Sequence, residues 1–153
     1  MSAAEARIDR LEVSVYQVPT DSPESDGTLE WDSTTMVLVE ACSGAVAGLG
    51  FSYASKSTAA LIQKKLQSRV CGRDAMDIQG TWDLMVKSIR NLGRPGLASM
   101  AIAAVDIALW DLKARLLGLP LVKLLGQVRP AIPAYGSGGF TSYSIERLQE
   151  QLG

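Results

Sequence analysis

One segment constrains this chain more than any other. From about Ala98 to Leu117, apolar residues of small and large size (Ala101, Ile102, Ala104, Val105, Ala108, Leu109, Leu112, Leu116) surround most of a helical circumference. A helix that is apolar on most of its surface is buried on more than one side, so other elements must pack around it. Gly118 supplies the stop and Pro120 bars continuation. A short helix follows, Leu121 to Leu125, and Gly126 ends it.

The chain has enough material for one domain with a real core: 153 residues, 47% of them hydrophobic. That apolar content excludes a disordered chain, and the lack of a Gly-X-Y period excludes collagen. The net charge of -1 gives no basic field for nucleic acid and no polybasic stretch for a membrane. There is no histidine, which removes the commonest neutral-pH acid/base group and the commonest metal ligand. Cys42 and Cys71 are too few and too far apart for a zinc site or a disulfide scaffold, and they read as small buried hydrophobes. Met1 to Arg7 has no apolar stretch of the signal-peptide kind, and no apolar run approaches the roughly 20 residues of a membrane span. A soluble, cytoplasmic protein is expected.

Ahead of the long helix the pattern is first strand-like and then helical. Arg7 to Val18 reads as a strand, with Leu11, Val13 and Val15 on one face, and Pro19 ending it. Thr20 to Ser33 is rich in Asp, Ser, Pro and Gly and reads as a long loop, a length usually reserved for lids or disorder. Thr34 to Ala41 is a second strand, Ser43-Gly44 a turn, and Val46 to Tyr53 a third strand. Gly44 to Gly50 lacks the spacing of a phosphate loop and is a plain turn and strand. Ser57 or Thr58 can cap a helix from Ala59 to about Val70, stopped by Gly72. Asp74 can cap the next, through Trp82, Met85, Val86 and Ile89, which Gly93-Arg94-Pro95-Gly96 breaks. Trp82 and Trp110 read as core residues.

The resulting fold class is α+β: a three-stranded antiparallel meander followed by a helical bundle. Something new starts at Pro130. Ala131 to Tyr135 reads as a strand, Gly136-Ser137-Gly138-Gly139 as a loop, and Ser144 caps a helix bearing Ile145, Leu148 and Leu152, with Tyr143 and Leu148 at staple positions. That strand has no partner within the chain, so the chain is expected to be part of a larger design. The expected boundary divides residues 1–128 from 129–153.

The run Ala98-Ser99-Met100-Ala101-Ile102-Ala103-Ala104-Val105-Asp106-Ile107-Ala108-Leu109-Trp110-Asp111-Leu112-Lys113-Ala114, continued by Leu117-Gly118-Leu119-Pro120-Leu121-Val122-Lys123-Leu124-Leu125-Gly126, resembles the mandelate racemase/muconate lactonizing enzyme branch of the enolase superfamily. The preceding meander, with Gly48-Leu49-Gly50-Phe51, is similar in order and length to that family's N-terminal capping domain. The resemblance implies a capping domain followed by a TIM-type barrel, of which residues 129–153 would be the first strand and helix. It also implies an enzyme that abstracts the proton α to a carboxylate with the help of Mg²⁺, acting as a racemase, epimerase, cycloisomerase or acid-sugar dehydratase. A small-molecule carboxylate substrate and a homo-oligomer in the full-length form follow from the same resemblance. The metal ligands and bases of the family lie on later barrel strands. None is expected in this chain, whose catalytic and metal sites are therefore none.

Asp106 and Asp111 lie five apart on the long helix, point to different sides, and read as structural. The resemblance assigns the Thr20 to Ser33 loop and the loop after the third strand to closing over substrate and selecting it. Candidate substrate contacts there are Asp21, Trp31, Phe51 and Tyr53, the Tyr53 hydroxyl over the pocket mouth. Tyr135 and Ser137 sit at or just past the C-terminal end of the expected barrel strand, the face on which TIM-barrel sites are built. The polar loop is expected to move as a lid and to suit a hydroxylated acid such as a sugar acid. A second reading is a non-catalytic remnant that serves as an interaction or assembly module. In either case the chain alone is expected to be inactive, marginally stable and prone to self-association.

Overall fold

A computed structural model describes residues 6–153. The reading of the extreme N-terminus as free of a signal peptide falls largely on residues 1–5, outside the described residues. The chain forms two compact units: residues 6–16 with 35–127, and residues 17–34 with 128–153. Strands β1 (Arg10–Ser25) and β2 (Glu30–Ser43) each contribute residues to both.

In the first unit, β1, β2 and β3 (Val46–Tyr53) form a sheet in the order β1-β2-β3. β2 and β3 are antiparallel, with Val37 opposite Ser52, Val39 opposite Gly50 and Ala41 opposite Gly48. Side chains alternate along a strand, so Val37, Val39 and Ala41, all fully buried, share one face with the two glycines. That face meets α4 (Leu97–Leu117), the long apolar helix. Ala104, Ala108 and Leu112 stand one above the next along it. A Cβ on Gly48 would overlap the Leu112 nitrogen and the Ala108 carbonyl oxygen, and one on Gly50 would lie 2.6 Å from the Ala108 nitrogen. The Gly48/Gly50 alternation therefore lets strand backbone lie directly on helix backbone. Asp111 fixes the contact laterally: its Oδ2 accepts from the Leu49 amide at 2.8 Å and from Arg115 Nε at 2.8 Å. The structural reading of Asp111 holds. Asp106, half-buried, has its carboxyl pushed up by burial.

The other flank of α4 is covered by helices. α1 (Lys56–Leu61) runs through a π-helical stretch (Ile62–Leu66) into α2 (Gln67–Val70), and α3 (Ile78–Ser88) follows. Ile62, Leu66, Val70, Ile78 and Met85 join Ile8, Leu109 and Leu112 in the core. Trp82, Trp110 and Cys71 pack against it, and Cys42 is buried. Gly118, in the left-handed region at φ 64°, ends α4, and α5 (Leu121–Leu124) comes next. No helix among the described residues is long and apolar enough to cross a membrane.

Several local expectations need correction. Arg7 to Asp9 is not part of the first strand: Ile8 exchanges backbone hydrogen bonds with Arg73 and Gly72 instead, at 2.9 and 2.7 Å. Pro19 does not end β1, which continues through it and through Pro23 to Ser25. β1 is at the edge of the sheet, where a missing N–H costs no ladder bond. The expected Thr20 to Ser33 loop is consequently two strands joined by a short turn. The helix after β3 starts at Lys56 behind Ser55, so neither Ser57 nor Thr58 caps it; the Thr58 hydroxyl is buried inside. Asp77, not Asp74, caps α3, accepting from the Gly80 amide at 2.9 Å, while Asp74 accepts from the Met76 amide in the preceding turn.

In the second unit, Ala131 to Tyr135 forms no strand: it has no ladder partner among the described residues, and backbone pairing is what makes a strand. The helix behind it is present as α6 (Ile145–Leu152), and Ser144 caps it as expected, accepting from the Arg147 amide.

Candidate functional site

The site is built within the second unit, from the far ends of β1 and β2 and the segment leading into α6. Asp26 makes the turn between the strands. Its Oδ1 accepts from the Thr28 hydroxyl at 2.6 Å, the Thr28 amide at 2.9 Å and the Leu29 amide at 3.0 Å. Gly27 takes φ 91°, which a side chain would resist. The Thr28 hydroxyl, then the two amides, hold the Asp26 carboxyl down at about 2. Behind the turn the two strands form an arm, residues 17–34, in which Gln17 Nε2 donates to Ser33 Oγ across the pair at 3.0 Å. The segment expected as a loop is thus a two-stranded ribbon with a hydrogen-bonded tip.

The arm and the start of α6 border an open cleft of about 610 Å³, lined by Asp21, Ser22, Pro23 and Glu30 on one wall and Ser142, Tyr143, Ser144 and Arg147 on the other. Its polar groups are hydroxyls, two carboxylates and one guanidinium. Arg147 donates to Glu150 Oε2 at 2.9 Å and lies 5.8 Å from the centre of the Tyr143 ring. Glu150 first, with Asp21 adding to it, reinforces the positive charge on Arg147. A guanidinium beside several hydroxyls and carboxylates can bind a carboxylate and hydrogen-bond neighbouring alcohols of one small ligand.

The candidates from sequence are distributed unevenly. Asp21 lines this cleft. Trp31 lies on the arm beside a second depression with Pro23, Glu30 and Asp32, and its indole N–H is engaged by Glu24 Oε2 at 2.7 Å. Phe51 and Tyr53 belong to the first unit, on the sheet face away from the core, their rings edge-on at 5.9 Å. Tyr135 is 91% exposed, and Ser137 is exposed beside it on backbone that forms no strand. Within the second unit, Asp21 and Trp31 border two different depressions, and Tyr135 and Ser137 line neither. Glu24, Glu30 and Arg147 were not singled out by sequence, and Tyr143 only as a staple residue of the last helix. The available signal was Asp26-Gly27, a hairpin dipeptide, which folds the Asp21 and Trp31 stretches back on each other and brings Glu24 and Glu30 along.

Among the described residues, no three of His, Cys, Asp and Glu come together in a way that could hold a metal ion. The described residues therefore offer no donor set that fits a magnesium ion.

Residues 10–126 match the family model of the mandelate racemase/muconate lactonizing enzyme N-terminal domain, and the chain belongs to that family. The class defined by the fold, a sheet laid on one long buried helix, is shared by solved relatives. A mandelate racemase/muconate lactonizing enzyme-like protein from Rubrobacter xylanophilus superposes with a TM-score of 0.92 at 58% identity, over 95% of this chain and 41% of that one. The L-talarate/galactarate dehydratase of Salmonella typhimurium, liganded with Mg and L-lyxarohydroxamate, gives 0.85 at 30% identity, over 96% of this chain and 40% of that one. A 3,6-anhydro-alpha-L-galactonate cycloisomerase from Streptomyces coelicolor is 35% identical over 94% of this chain. The chain spans 42% of that curated relative's length.

Proposed function

We propose that this chain is the N-terminal, substrate-selecting part of an enolase-superfamily enzyme that acts on acid sugars. The reaction would begin with removal of the proton α to the substrate carboxylate and proceed to dehydration, cycloisomerisation or racemisation. The proton-abstracting groups, and the magnesium that would stabilise charge on the carboxylate oxygens, belong to residues outside these 153, and the chain alone is inactive. Residues 1–128 act as the capping domain and 129–153 as the entry into a barrel. The full-length protein is a cytoplasmic homo-oligomer.

One observation carries the substrate reading: the arm places Asp21 on a cleft that also holds Arg147 and the hydroxyls of Ser22, Ser142 and Ser144. That set is matched to a polyhydroxylated carboxylate and poorly matched to an aromatic one. The two named relatives, a talarate/galactarate dehydratase and an anhydrogalactonate cycloisomerase, act on such acids by name. Asp21 is the best supported contact. Trp31 contributes its ring, since its N–H is engaged. Phe51, Tyr53, Tyr135 and Ser137 are the remaining proposed contacts.

The test is α-proton exchange in D₂O by the complete protein, with galactarate, talarate and related aldarates and aldonates set against mandelate and muconolactone. Exchange with at least one acid sugar and not with the aromatic or unsaturated acids is the expected result. The opposite ranking would reject the reading.

A further inference from the structure

The arm is attached to the segment before α6 by more than one kind of contact, all within the second unit. Along the free edge of β1, the Thr141 amide donates to the Ser25 carbonyl at 2.9 Å and the Ser142 hydroxyl to the Pro23 carbonyl at 2.7 Å. The Ser25 and Thr141 hydroxyls lie 2.6 Å apart. These bonds all lie near one line, the strand edge, and alone they would leave the segment able to hinge about it. Glu24 stands between Pro23 and Ser25, and its side chain engages partners away from that edge. Its Oε2 accepts from Trp31 Nε1 at 2.7 Å, and its Oε1 accepts from the Tyr143 hydroxyl at 3.3 Å. Phe140 fills the space between the two donors' rings, edge-on to Trp31 at 5.6 Å and to Tyr143 at 5.4 Å. Glu24, Trp31, Phe140 and Tyr143 are all half-buried.

We propose that Glu24 is a positioning residue: its two carboxylate oxygens, one on Trp31 and one on Tyr143, lock the arm to the Phe140–Tyr143 segment and so set the width of the cleft. A carboxylate suits this because each oxygen takes one donor and neither donor has to share. Pro23 and Tyr143, immediately beside the lock, are themselves cleft residues. A change in the lock therefore reaches the ligand-facing wall without any contact between Glu24 and ligand. As a determinant of substrate choice, the proposal rests on the acid-sugar reading above; as a statement about the arm, it does not.

The experiment is hydrogen exchange by NMR on the complete protein, labelled with ¹⁵N at tryptophan and threonine, following the Trp31 indole N–H and the Thr141 amide. Glu24→Ala is expected to speed exchange at both by about tenfold or more, the size of effect expected for losing a bond to a charged acceptor. Glu24→Gln, which can still accept from the indole and donate to the tyrosine oxygen, is expected to restore both to within about threefold of the parent. Tyr143→Phe, which deletes a single hydroxyl, is expected to speed Thr141 and leave the indole protected. Unchanged exchange at Thr141 in Glu24→Ala overturns the proposal. If that variant does not fold, unchanged exchange at Thr141 in Tyr143→Phe overturns it. If exchange responds as stated while Glu24→Ala leaves the ranking of acid sugars by the complete enzyme untouched, the lock stands and the arm's role in selection falls.

Discussion

Ile8, Ile62, Leu66, Met85, Leu109 and Leu112 have almost no exposed surface, and all belong to the unit of residues 6–16 and 35–127. In the unit of residues 17–34 and 128–153, no described residue is buried. The first is held by apolar burial and by backbone packed on backbone. The second is held by the backbone pairing of β1 with β2 and of Thr141 with Ser25, by side-chain hydrogen bonds, and by aromatic edges. Burial is cooperative and hard to change in parts, whereas a set of exposed polar contacts can be retuned one residue at a time. The two kinds of construction suit the roles proposed above, a fixed scaffold and an arm that selects substrate.

The largest effects should fall in the first unit. Leu109→Ala, which empties a fully buried site on α4, is expected to cost about 2–5 kcal/mol in urea unfolding. A loss below about 1 kcal/mol would mean that α4 is not the centre of the core. Gly48→Ala is expected to cost about 1–3 kcal/mol or more, because the new methyl meets helix backbone, which cannot rotate away. A neutral result would show that β3 can lift off α4 freely. Asp111→Ala removes the acceptor of the Leu49 amide and should cost about 1–2 kcal/mol. The Arg115 pair adds little, being on the surface.

The smallest effect is expected at the arm's tip. The folded pKa of Asp26, about 2, lies below its ordinary value of 3.8. The carboxylate's contribution to the turn is therefore complete above pH 4 and is lost as pH falls towards 2. Amide shifts of Thr28 and Leu29 should move across that window while core amides of the first unit stay fixed. Simultaneous movement of both sets would mean that the two units do not respond separately.

This contrast also explains what the sequence revealed. α4 was legible to within a residue because its apolar residues and Gly118 are both local signals. β3 was legible from Ser43-Gly44 and the strand composition that follows. The arm was misread because Pro19 and Pro23 stop a strand only when their missing N–H is needed, and that depends on β1 lying at the edge of the sheet. Asp74 and Asp77 are equally good caps on paper, and the backbone alone chooses between them. The site was less legible than the fold. Asp21, which lines the cleft, was a candidate only through the family resemblance. Tyr143 and Arg147 lie more than a hundred residues from it in sequence, and only the folded arm brings them to one cleft. Ala131 to Tyr135 has strand composition, but a strand also needs a neighbour.

The central claim is that the arm selects the substrate while the chemistry is carried elsewhere. Its most direct test is a transplant in the complete enzyme, replacing residues 17–34 by the corresponding segment of the Salmonella typhimurium talarate/galactarate dehydratase. The account predicts that the ratio of kcat/KM between competing acid sugars shifts by about tenfold or more, the scale of discrimination available from a few polar contacts, while α-proton exchange into D₂O persists. An unchanged ranking together with abolished exchange would contradict it, and would place the arm in the chemistry or in the fold rather than in selection.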